Sequence, residues 1–280
     1  MKAMKSKVIL ITGAASGIGA ATARAAVAAG HRVVLADIDL AGAESVAARL
    51  GEAASAARLD IRDEVGWAGV LDDAFARHGR LDVLVNNAAI VHTGYVRDVS
   101  LERHAQTMTT NFMGAVTGML AVLPRFKAQG AGHIVNVSSM TAFIPFPGLA
   151  TYAAAKHALR AFHHALALEE RGGPVAFTIV YPTATETPML DKEAEDDALA
   201  LAFAGTPMTA DAVGTAIVEA IRKRSVEVYL PPERGKVVRR LGTSPRALVA
   251  MVERNGAIGA EKLKARRAAT AAAKAAPGDR

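Results

Sequence analysis

Short apolar runs alternate along the chain with longer segments in which apolar residues recur at helical spacing. The short runs are nearly continuously apolar, as in strands whose two faces are both covered by other elements. They predict seven strands, at residues 7–12, 31–37, 55–59, 81–86, 133–138, 175–181 and 226–230.

The longer segments have the spacing of amphipathic helices. They predict helices at about residues 17–30, 41–50, 63–78, 100–128, 150–171 and 209–224. Strands that alternate with helices form parallel sheets with right-handed crossovers and helices on both faces. We therefore expect an α/β fold with a Rossmann-like, doubly wound, mostly parallel seven-stranded sheet.

This domain is expected to occupy residues 1–232, because two prolines follow the last predicted strand. Beyond it, residues 236–241 and 247–254 have helical spacing, whereas residues 262–274 are rich in Ala, Lys and Arg and offer little apolar surface. We expect residues 233–280 to form a C-terminal extension that is partly helical or disordered.

Positive charge is concentrated in that extension. Residues 233–280 contain twelve Lys or Arg and four Asp or Glu, a net charge of +8, while the rest of the chain carries −2. The basic balance is therefore weak support for nucleic-acid binding by the fold itself. We expect the extension to be dispensable for catalysis but to matter for assembly, solubility or an anionic partner.

Composition narrows the class of protein further. Apolar residues make up 51% of the chain, enough for a buried core, and the absence of cysteine excludes disulfides and thiolate metal sites. No metal site is predicted. The first apolar run is too short for a signal peptide, and the longest one, residues 113–123, ends at Pro124 and is too short to span a membrane. We expect a soluble, cytoplasmic protein.

The first strand runs into a glycine-rich turn, residues 12–19, where a helix begins. Gly13 permits the tight turn, Gly17 lets the backbone approach a pyrophosphate, and Gly19 lets the helix pack closely on the strand. The helix N-terminus, with Ser16 and Ile18, would offer free N–H groups to phosphates. A glycine-rich turn without a ligand is the competing interpretation.

The second strand ends in Asp37, 24 residues after Gly13. A carboxylate there accepts hydrogen bonds from the adenosine ribose and repels a 2′-phosphate. Neither the glycine turn nor residues 36–40 contain a Lys or Arg that would attract that phosphate. These features favour NAD(H) over NADP(H), although Asp37, like Asp39, could instead cap the next helix.

Polar and small residues also follow the third and fourth strands. Ligands of doubly wound folds bind beyond the carboxyl ends of the strands, so these residues are candidates for contact with the adenine and its ribose. Ordinary turn chemistry is the alternative for the asparagines. The candidates are Asp60, Ile61, Asn86, Asn87, Ala88 and Ala89.

Tyr152 and Lys156 lie four residues apart on a predicted helix, with only alanines between them, and therefore share a face. A nearby ammonium lowers the pKa of a tyrosine, so such a pair can act as a general acid or base, although it can also be incidental. Upstream, Ser138 and Ser139 point to opposite sides of the fifth strand's end. One of them can donate to a developing alkoxide.

Taken together, these motifs resemble the short-chain dehydrogenase/reductase family, of the single-domain group. The resemblance covers residues 7 to about 231, and the motifs occur in the family's order. It rests on residues 12–19, Asp37, Asp60, residues 86–89, Asn111, Ser139, Tyr152 and Lys156.

The resemblance implies a role for each catalytic residue. Tyr152 would be the acid/base, and Lys156 would lower its pKa and hold the nicotinamide ribose. The family's serine lies thirteen positions before the tyrosine, which selects Ser139 over Ser138. Asn111 would hold a water in the proton relay.

The family also implies a homodimer or homotetramer assembled through the predicted helices at 100–128 and 150–171. The chain departs from the family pattern at two positions, because Ala89 and Thr183 stand where the family has glycine. By alignment, Pro182, Thr185 and Thr187 would contact the nicotinamide carboxamide and the phosphates. The glycine missing at 183 restricts the backbone beside them.

Apolar residues are expected to line the substrate pocket, which predicts a hydrophobic alcohol or ketone, with core packing as the alternative. They are Ile90, Met140, Phe143, Ile144, Phe146, Leu149, Met189 and Leu190. Residues 188–208 carry five acidic residues between 191 and 197, Glu193 among them. This segment predicts a mobile lid with a solvated acidic face.

The sequence therefore predicts an NAD-dependent oxidoreductase that transfers a hydride between nicotinamide and a hydrophobic secondary alcohol or ketone. The alternative is a non-catalytic NAD-binding sensor or scaffold whose basic tail binds an anionic partner. The complete set of Asn111, Ser139, Tyr152 and Lys156 favours the enzyme.

Overall fold

Seven parallel strands form the central sheet of the computed structural model, which describes residues 6–275 and the side chains of residues 6–272. Along the chain the strands are β1 (Val8–Thr12), β2 (Arg32–Asp37), β3 (Ala54–Arg58), β4 (Val83–Asn86), β5 (Gly132–Val137), β6 (Val175–Pro182), β7 (Thr185–Glu186), β8 (Met208–Thr209) and β9 (Glu227–Leu230). The short strands β7 and β8 pair only with each other. Each strand of the main sheet lies within two residues of its predicted position.

The main sheet has the order β3-β2-β1-β4-β5-β6-β9, with every neighbouring pair parallel. The winding direction reverses between β1 and β4. In doubly wound sheets this reversal opens a crevice beyond the carboxyl ends of the strands, where ligands bind. The predicted fold class is confirmed.

Helices cover both faces of the sheet. Within the described residues they are α1 (Gly17–Ala28), α2 (Leu40–Leu50), α3 (Glu64–His78), α4 (Leu101–Met108), α5 (Gly114–Gln129), α6 (Ala150–Glu169), α7 (Pro188–Glu193), α8 (Ala210–Lys223), α9 (Arg234–Gly242) and α10 (Pro245–Ala275). None of them is long and apolar enough to cross a membrane.

The alternation of side chains along β1 shows how the two faces are filled. Ile9 and Ile11 pack into a cluster with α1, α2 and α8, whereas Leu10, between them, packs into a cluster with α3, α5 and α6. All three are fully buried. Successive strand residues point to opposite faces, so apolar residues at every position bury both.

The single helix predicted at 100–128 is interrupted. A π-helical turn, Thr109–Met113, separates α4 from α5. Such a turn inserts one residue while the chain continues in the same direction, so the apolar pattern carries no sign of it. The buried Asn111 lies in this turn.

The C-terminal extension is helical throughout its described part. In place of separate short segments, α10 runs for 31 residues and packs on a short helix of the lid, Asp197–Phe203. The expectation that residues 262–274 have little to bury is wrong at Leu263, which is only 2% exposed. Residues 276–280 of the predicted extension lie outside the described residues.

Candidate active site

A cavity of about 780 Å³ opens at the carboxyl ends of the strands, at the reversal between β1 and β4. It extends from the glycine turn to α7, α9 and α10. The structure brings nearly all of the predicted site residues to its walls. The exceptions are Asn86, Gly19, Asn111 and Phe143, which lie behind the walls.

Close packing fixes the glycine turn. Gly13 has a φ of +66°, and a Cβ there would lie 2.7 Å from the Ala88 Cα. A Cβ on Gly19 would lie 2.0 Å from the Gly13 carbonyl oxygen. Asn87 Nδ2 donates to the Thr12 and Gly13 carbonyls at 2.9 and 3.1 Å. The turn after β1 and the loop after β4 therefore form one rigid wall.

That wall presents the start of α1 to the cavity. Ser16 is the N-cap residue of α1, but its side chain makes no capping hydrogen bond. Ser16, Gly17 and Ile18 all line the cavity. The first N–H groups of a helix have no partner within the helix, so they can bind an anion there.

Asp37 ties the glycine turn to the end of β2. Its Oδ2 accepts from the Ala15 N–H at 2.9 Å, and its Oδ1 accepts from the Asp39 N–H at 3.0 Å. The cap of α2 is Asp39, which accepts from the Gly42 N–H. The capping alternative for Asp37 is therefore wrong, and its carboxylate lines the cavity.

Asp60 lies on the same side of the cavity and is paired with Arg62. The Arg62 Nη2 lies 2.6 Å from the Asp60 Oδ2. This hydrogen bond, more than any other influence, lowers the pKa of Asp60. The guanidinium that lines this end of the cavity is thus already bound to a carboxylate.

Ser139, Tyr152 and Lys156 meet at the other end of the cavity. The Lys156 Nζ lies 5.5 Å from the centre of the Tyr152 ring and donates to the Val137 carbonyl at 3.0 Å. Lys156 is only 3% exposed, and burial lowers its pKa to about 8. The ammonium is held at the tyrosine by the end of β5.

The two serines are distinguished by what they contact. Ser138 is buried and its Oγ donates to the Lys156 carbonyl at 3.4 Å. Ser139 is partly exposed to the cavity and lies beside the Tyr152 hydroxyl. The position of Ser139 is the one suited to contact a substrate oxygen at Tyr152.

The pKa of Tyr152 is raised in this structure. Burial is the main cause, the negative charge of Glu193 adds to it, and the Ser139 hydroxyl lowers it in part. The expectation that Lys156 brings this pKa below that of free tyrosine is not met here. The buried phenol keeps its proton at neutral pH.

The Asn111 side chain contacts backbone on both sides of its amide. Its Nδ2 donates to the Ile90 carbonyl and its Oδ1 accepts from the Ile90 N–H, each at 2.8 Å. Asn111 therefore fixes the loop after β4 that carries Ala88 and Ala89. Its water-holding role stays a prediction.

Hydrogen bonds link the threonines that follow β6 along the cavity. Thr185 Oγ1 donates to the Thr183 carbonyl at 2.9 Å, and Thr187, the N-cap of α7, donates to the Thr185 carbonyl at 3.1 Å. Thr183, which replaces the family's glycine, accepts from Arg234 Nη1 at 3.1 Å. The departure from the family pattern is thus linked to the C-terminal extension.

Phe143 is a core residue and not part of the cavity wall. Its ring lies 4.8 Å from the Tyr181 ring, and the Arg160 guanidinium lies 4.2 Å above it. It follows a turn of 3-10 helix, Met140–Ala142, that directs it inward. The other predicted pocket residues line the cavity: Ile90, Met140, Ile144, Phe146, Leu149, Met189 and Leu190.

Part of the cavity wall comes from the C-terminal extension, which is predicted to be dispensable for catalysis. The contributing residues are Arg234, Val237, Val238, Leu241, Met251 and Asn255. The extension therefore contributes to the cavity wall, while its dispensability for catalysis stays a prediction. The sequence feature that could have indicated this contact is Thr183, because a polar side chain in place of glycine needs a hydrogen-bond partner.

The lid, residues 188–208, is held by α10. Arg266 pairs with Glu186 at 2.7 Å and Asp191 at 2.9 Å, and Arg267 pairs with Asp197 at 2.6 Å. Asp191 and Asp197 remain 69% and 89% exposed in these pairs, so the predicted acidic face is solvated there. Glu193 departs from the prediction, because it is only 9% exposed and lines the cavity.

Sequence relatives agree with this geometry. The family model for short chain dehydrogenase matches residues 7–198. A 3-alpha-(or 20-beta)-hydroxysteroid dehydrogenase of Mycobacterium tuberculosis is 36% identical over 190 residues, 68% of this chain and 73% of the relative. A trans-4-hydroxycyclohexanecarboxylate dehydrogenase of Sinomonas cyclohexanicum is 35% identical over 65% of this chain and 74% of the relative.

Solved structures agree as well. A short chain dehydrogenase/reductase from Burkholderia phymatum in complex with NAD superposes with a TM-score of 0.78 at 27% identity, over 85% of this chain and 94% of that one. A 3-ketoacyl-(acyl-carrier-protein) reductase from Brucella melitensis complexed with NADH gives 0.74 at 31% identity, over 81% and 97%. The chain therefore belongs to the short-chain dehydrogenase/reductase family of oxidoreductases.

Proposed function

We propose that the protein transfers a hydride between NAD(H) and a hydrophobic secondary alcohol or ketone, with Tyr152 as the general acid or base. One observation carries this proposal. A single cavity joins the glycine turn and Asp37 at one end to Ser139, Tyr152 and Lys156 at the other.

The nucleotide end fits a dinucleotide. A Cβ on Gly13 would fill the space against Ala88, so the turn leaves bare backbone and the uncapped start of α1 for a pyrophosphate. Asp37 can still accept from ribose hydroxyls, because a carboxylate has about four acceptor sites. A 2′-phosphate would meet this carboxylate, while Arg62 is engaged by Asp60. NAD(H) is therefore favoured over NADP(H).

Bound NAD(H) would supply the hydride donor or acceptor. The protein's own contribution is the proton and the stabilisation of charge. In ketone reduction, the Tyr152 hydroxyl donates its proton to the carbonyl oxygen, and its raised pKa keeps it protonated for that step. Ser139 donates to the same oxygen as negative charge develops. In alcohol oxidation Tyr152 must first lose its proton to solvent before it can accept the proton of the alcohol, and the Lys156 ammonium stabilises that phenolate.

The substrate end is largely apolar, which supports a hydrophobic substrate. Its walls combine Met140, Phe146 and Leu149 with Met189 of the lid and Met251 of α10. The hydroxysteroid dehydrogenase among the relatives acts, by its name, on a secondary alcohol of this general kind.

A homodimer or homotetramer through α4, α5 and α6 is also proposed. The resemblance to the family implies assembly through these helices. Large apolar side chains are exposed on them and on the π turn between α4 and α5, which supports the proposal: Leu101 at 83%, Met113 at 48%, Leu120 at 55% and Leu168 at 71%. Light scattering on the purified protein measures the oligomeric state directly.

The test of the proposed function is Tyr152→Phe. We expect loss of turnover in an assay that follows NADH absorbance with a panel of hydrophobic ketones, because the proton donor is gone. NADH affinity, measured by fluorescence, should be nearly unchanged. Tyr95→Phe is the matched control, because Tyr95 is 46% exposed and lies outside the cavity. Near-normal turnover by the Tyr152 variant would refute the mechanism.

A further inference from the structure

Glu193 differs from the acidic residues around it because of its place on α7. It lies three and four residues after Leu190 and Met189, so all three share one face of the helix. Leu190 and Met189 line the cavity, and Leu190 is 2% exposed. Asp191, on another face, pairs with Arg266. The position of Glu193 on α7 therefore places its carboxylate on the side of the helix that faces the cavity.

The Glu193 side chain is buried, and its carboxylate has no protein partner among the described residues. In the described part of the chain, none of the salt bridges or side-chain hydrogen bonds reaches it, and burial alone raises its pKa to about 7. Asp82 is buried to a similar degree, at 7% exposure, but it pairs with Arg80 and accepts from the Val8 N–H at 2.8 Å. Glu193 therefore bears an uncompensated cost of burial.

The charged groups nearby are used elsewhere. Arg266 and Arg267 of α10 bind carboxylates on the outer side of the lid, and the Lys156 ammonium donates to the Val137 carbonyl. Lys192, on the same helix as Glu193, is exposed. The negative charge of Glu193 raises the pKa of Tyr152, and both residues line the same cavity. The open side of this carboxylate therefore faces the space where a substrate would lie.

We propose that Glu193 is a specificity-determining residue that accepts a hydrogen bond from a second donor group of the substrate, a hydroxyl or an ammonium, away from the reacting carbon. This inference rests on the proposed function, since it requires a substrate at Tyr152. The other walls of the cavity are mostly apolar, so the substrate is an apolar ring or chain with two polar ends. A carboxylate in place of the second donor would be repelled.

The experiment compares alcohols that share one ring and differ in the second group. Oxidation by the full chain with NAD would be measured for cyclohexanol, 4-methylcyclohexanol, the 1,2-, 1,3- and 1,4-cyclohexanediols and trans-4-aminocyclohexanol. The methyl compound controls for size, and the isomers scan the distance to Glu193. The variants are Glu193→Gln, which keeps the shape, and Glu195→Gln, an exposed control on the same lid.

In the unmodified protein we expect at least one diol or the amino alcohol to exceed 4-methylcyclohexanol by about tenfold or more in kcat/KM, after correction for equivalent hydroxyls. In Glu193→Gln this preference should fall to about threefold or less. The fall should be larger for the amino alcohol than for the diols, because the carboxylate attracts an ammonium more strongly than a hydroxyl. Glu195→Gln should keep it. Preference for the diol alone identifies a hydroxyl, and preference for the amine alone identifies an ammonium.

Two results would overturn the inference while leaving the proposed function intact. One is turnover of these alcohols without preference for a second donor, and the other is a preference that Glu193→Gln retains. Calorimetry of the same compounds with the enzyme–NADH complex provides a readout without turnover, and equal affinity for the methyl and hydroxyl compounds there also counts against it. Failure of NADH to bind would instead refute the proposed function.

Discussion

Replacing Glu193 by glutamine should stabilise the protein, and by an amount that depends on pH. Glutamine has nearly the same shape and removes the ionisable group from the buried site. The pKa of Glu193 rises from 4.5 to about 7 because burial disfavours the charged form, and no positively charged partner offsets this. The variant isolates that single effect.

The sign follows from proton linkage. Below pH 4.5 Glu193 is protonated in both folded and unfolded chains, so its ionisation has no effect on stability. Between pH 4.5 and about 7 the unfolded chain ionises first, and the folded state loses stability as pH rises. Above that range Glu193 is ionised in both the folded and the unfolded chain, and the loss of stability is complete. It amounts to about 3 kcal/mol, because a pKa change of one corresponds to about 1.4 kcal/mol.

Urea unfolding between pH 4 and 8.5 measures this difference. Trp67 is the only tryptophan and is fully buried, so its fluorescence reports the transition. The free energy of unfolding of Glu193→Gln minus that of the unmodified protein should grow by about 3 kcal/mol across this range and then stay level. Titrating groups that do not interact with Glu193 are present in both proteins and cancel.

Glu195→Gln is the control, because an exposed carboxylate on the same lid should change stability by less than about 0.5 kcal/mol at every pH. A difference for Glu193→Gln that is constant with pH would show that the carboxylate is not desolvated. A variant less stable than the unmodified protein at pH 8 would show that a cation partners the carboxylate. Either result refutes the reasoning.

Three further predictions concern the cofactor, the oxyanion and the lid. Asp37→Ala should narrow the preference for NADH over NADPH in fluorescence titrations, and equal affinities in the unmodified protein would contradict it. Ser139→Ala should lower kcat by about 10²–10³, since one donor to the oxyanion is lost, whereas Ser138→Ala should cost little; steady-state assays of both distinguish them. Arg266→Ala should raise KM about fivefold at nearly constant kcat, because ion pairs of this exposure contribute about 1 kcal/mol or less to holding the lid. Added salt should reproduce that change in the unmodified protein but leave the Arg266 variant unaffected.

The main sheet was predictable because both of its faces are buried. A strand such as β1 is apolar at successive positions, Val8 to Ile11, and this run is too short for a buried helix. Once the strands were located, the positions of the site motifs were predictable too, because the carboxyl ends of parallel strands meet at one edge of the sheet. Phe143 was misplaced because an apolar residue in a turn is equally suited to the core and to a pocket.

The features that were missed depend on local geometry without a strong periodic signal. The π turn at Asn111 changes only the hydrogen-bond pattern within a continuous helical path. At six residues, α7 is too short for its inward face to be detected, so Glu193 was grouped with its acidic neighbours. Helix α10 needs few apolar residues, since it packs through Leu263 and through Gly259, where a Cβ would lie 2.1 Å from the Ala200 carbonyl oxygen.

The cavity wall combines residues inside the family match with residues beyond it, and this has a consequence for the evolution of the protein. The family match ends at residue 198 and includes the proposed catalytic residues, whereas Leu201, Val238 and Met251 complete the cavity beyond it. Substitutions after residue 198 can therefore reshape the proposed substrate space without replacing Ser139 or Lys156. We therefore expect substrate range to change through the part of the chain after residue 198, while the proposed catalytic residues stay the same.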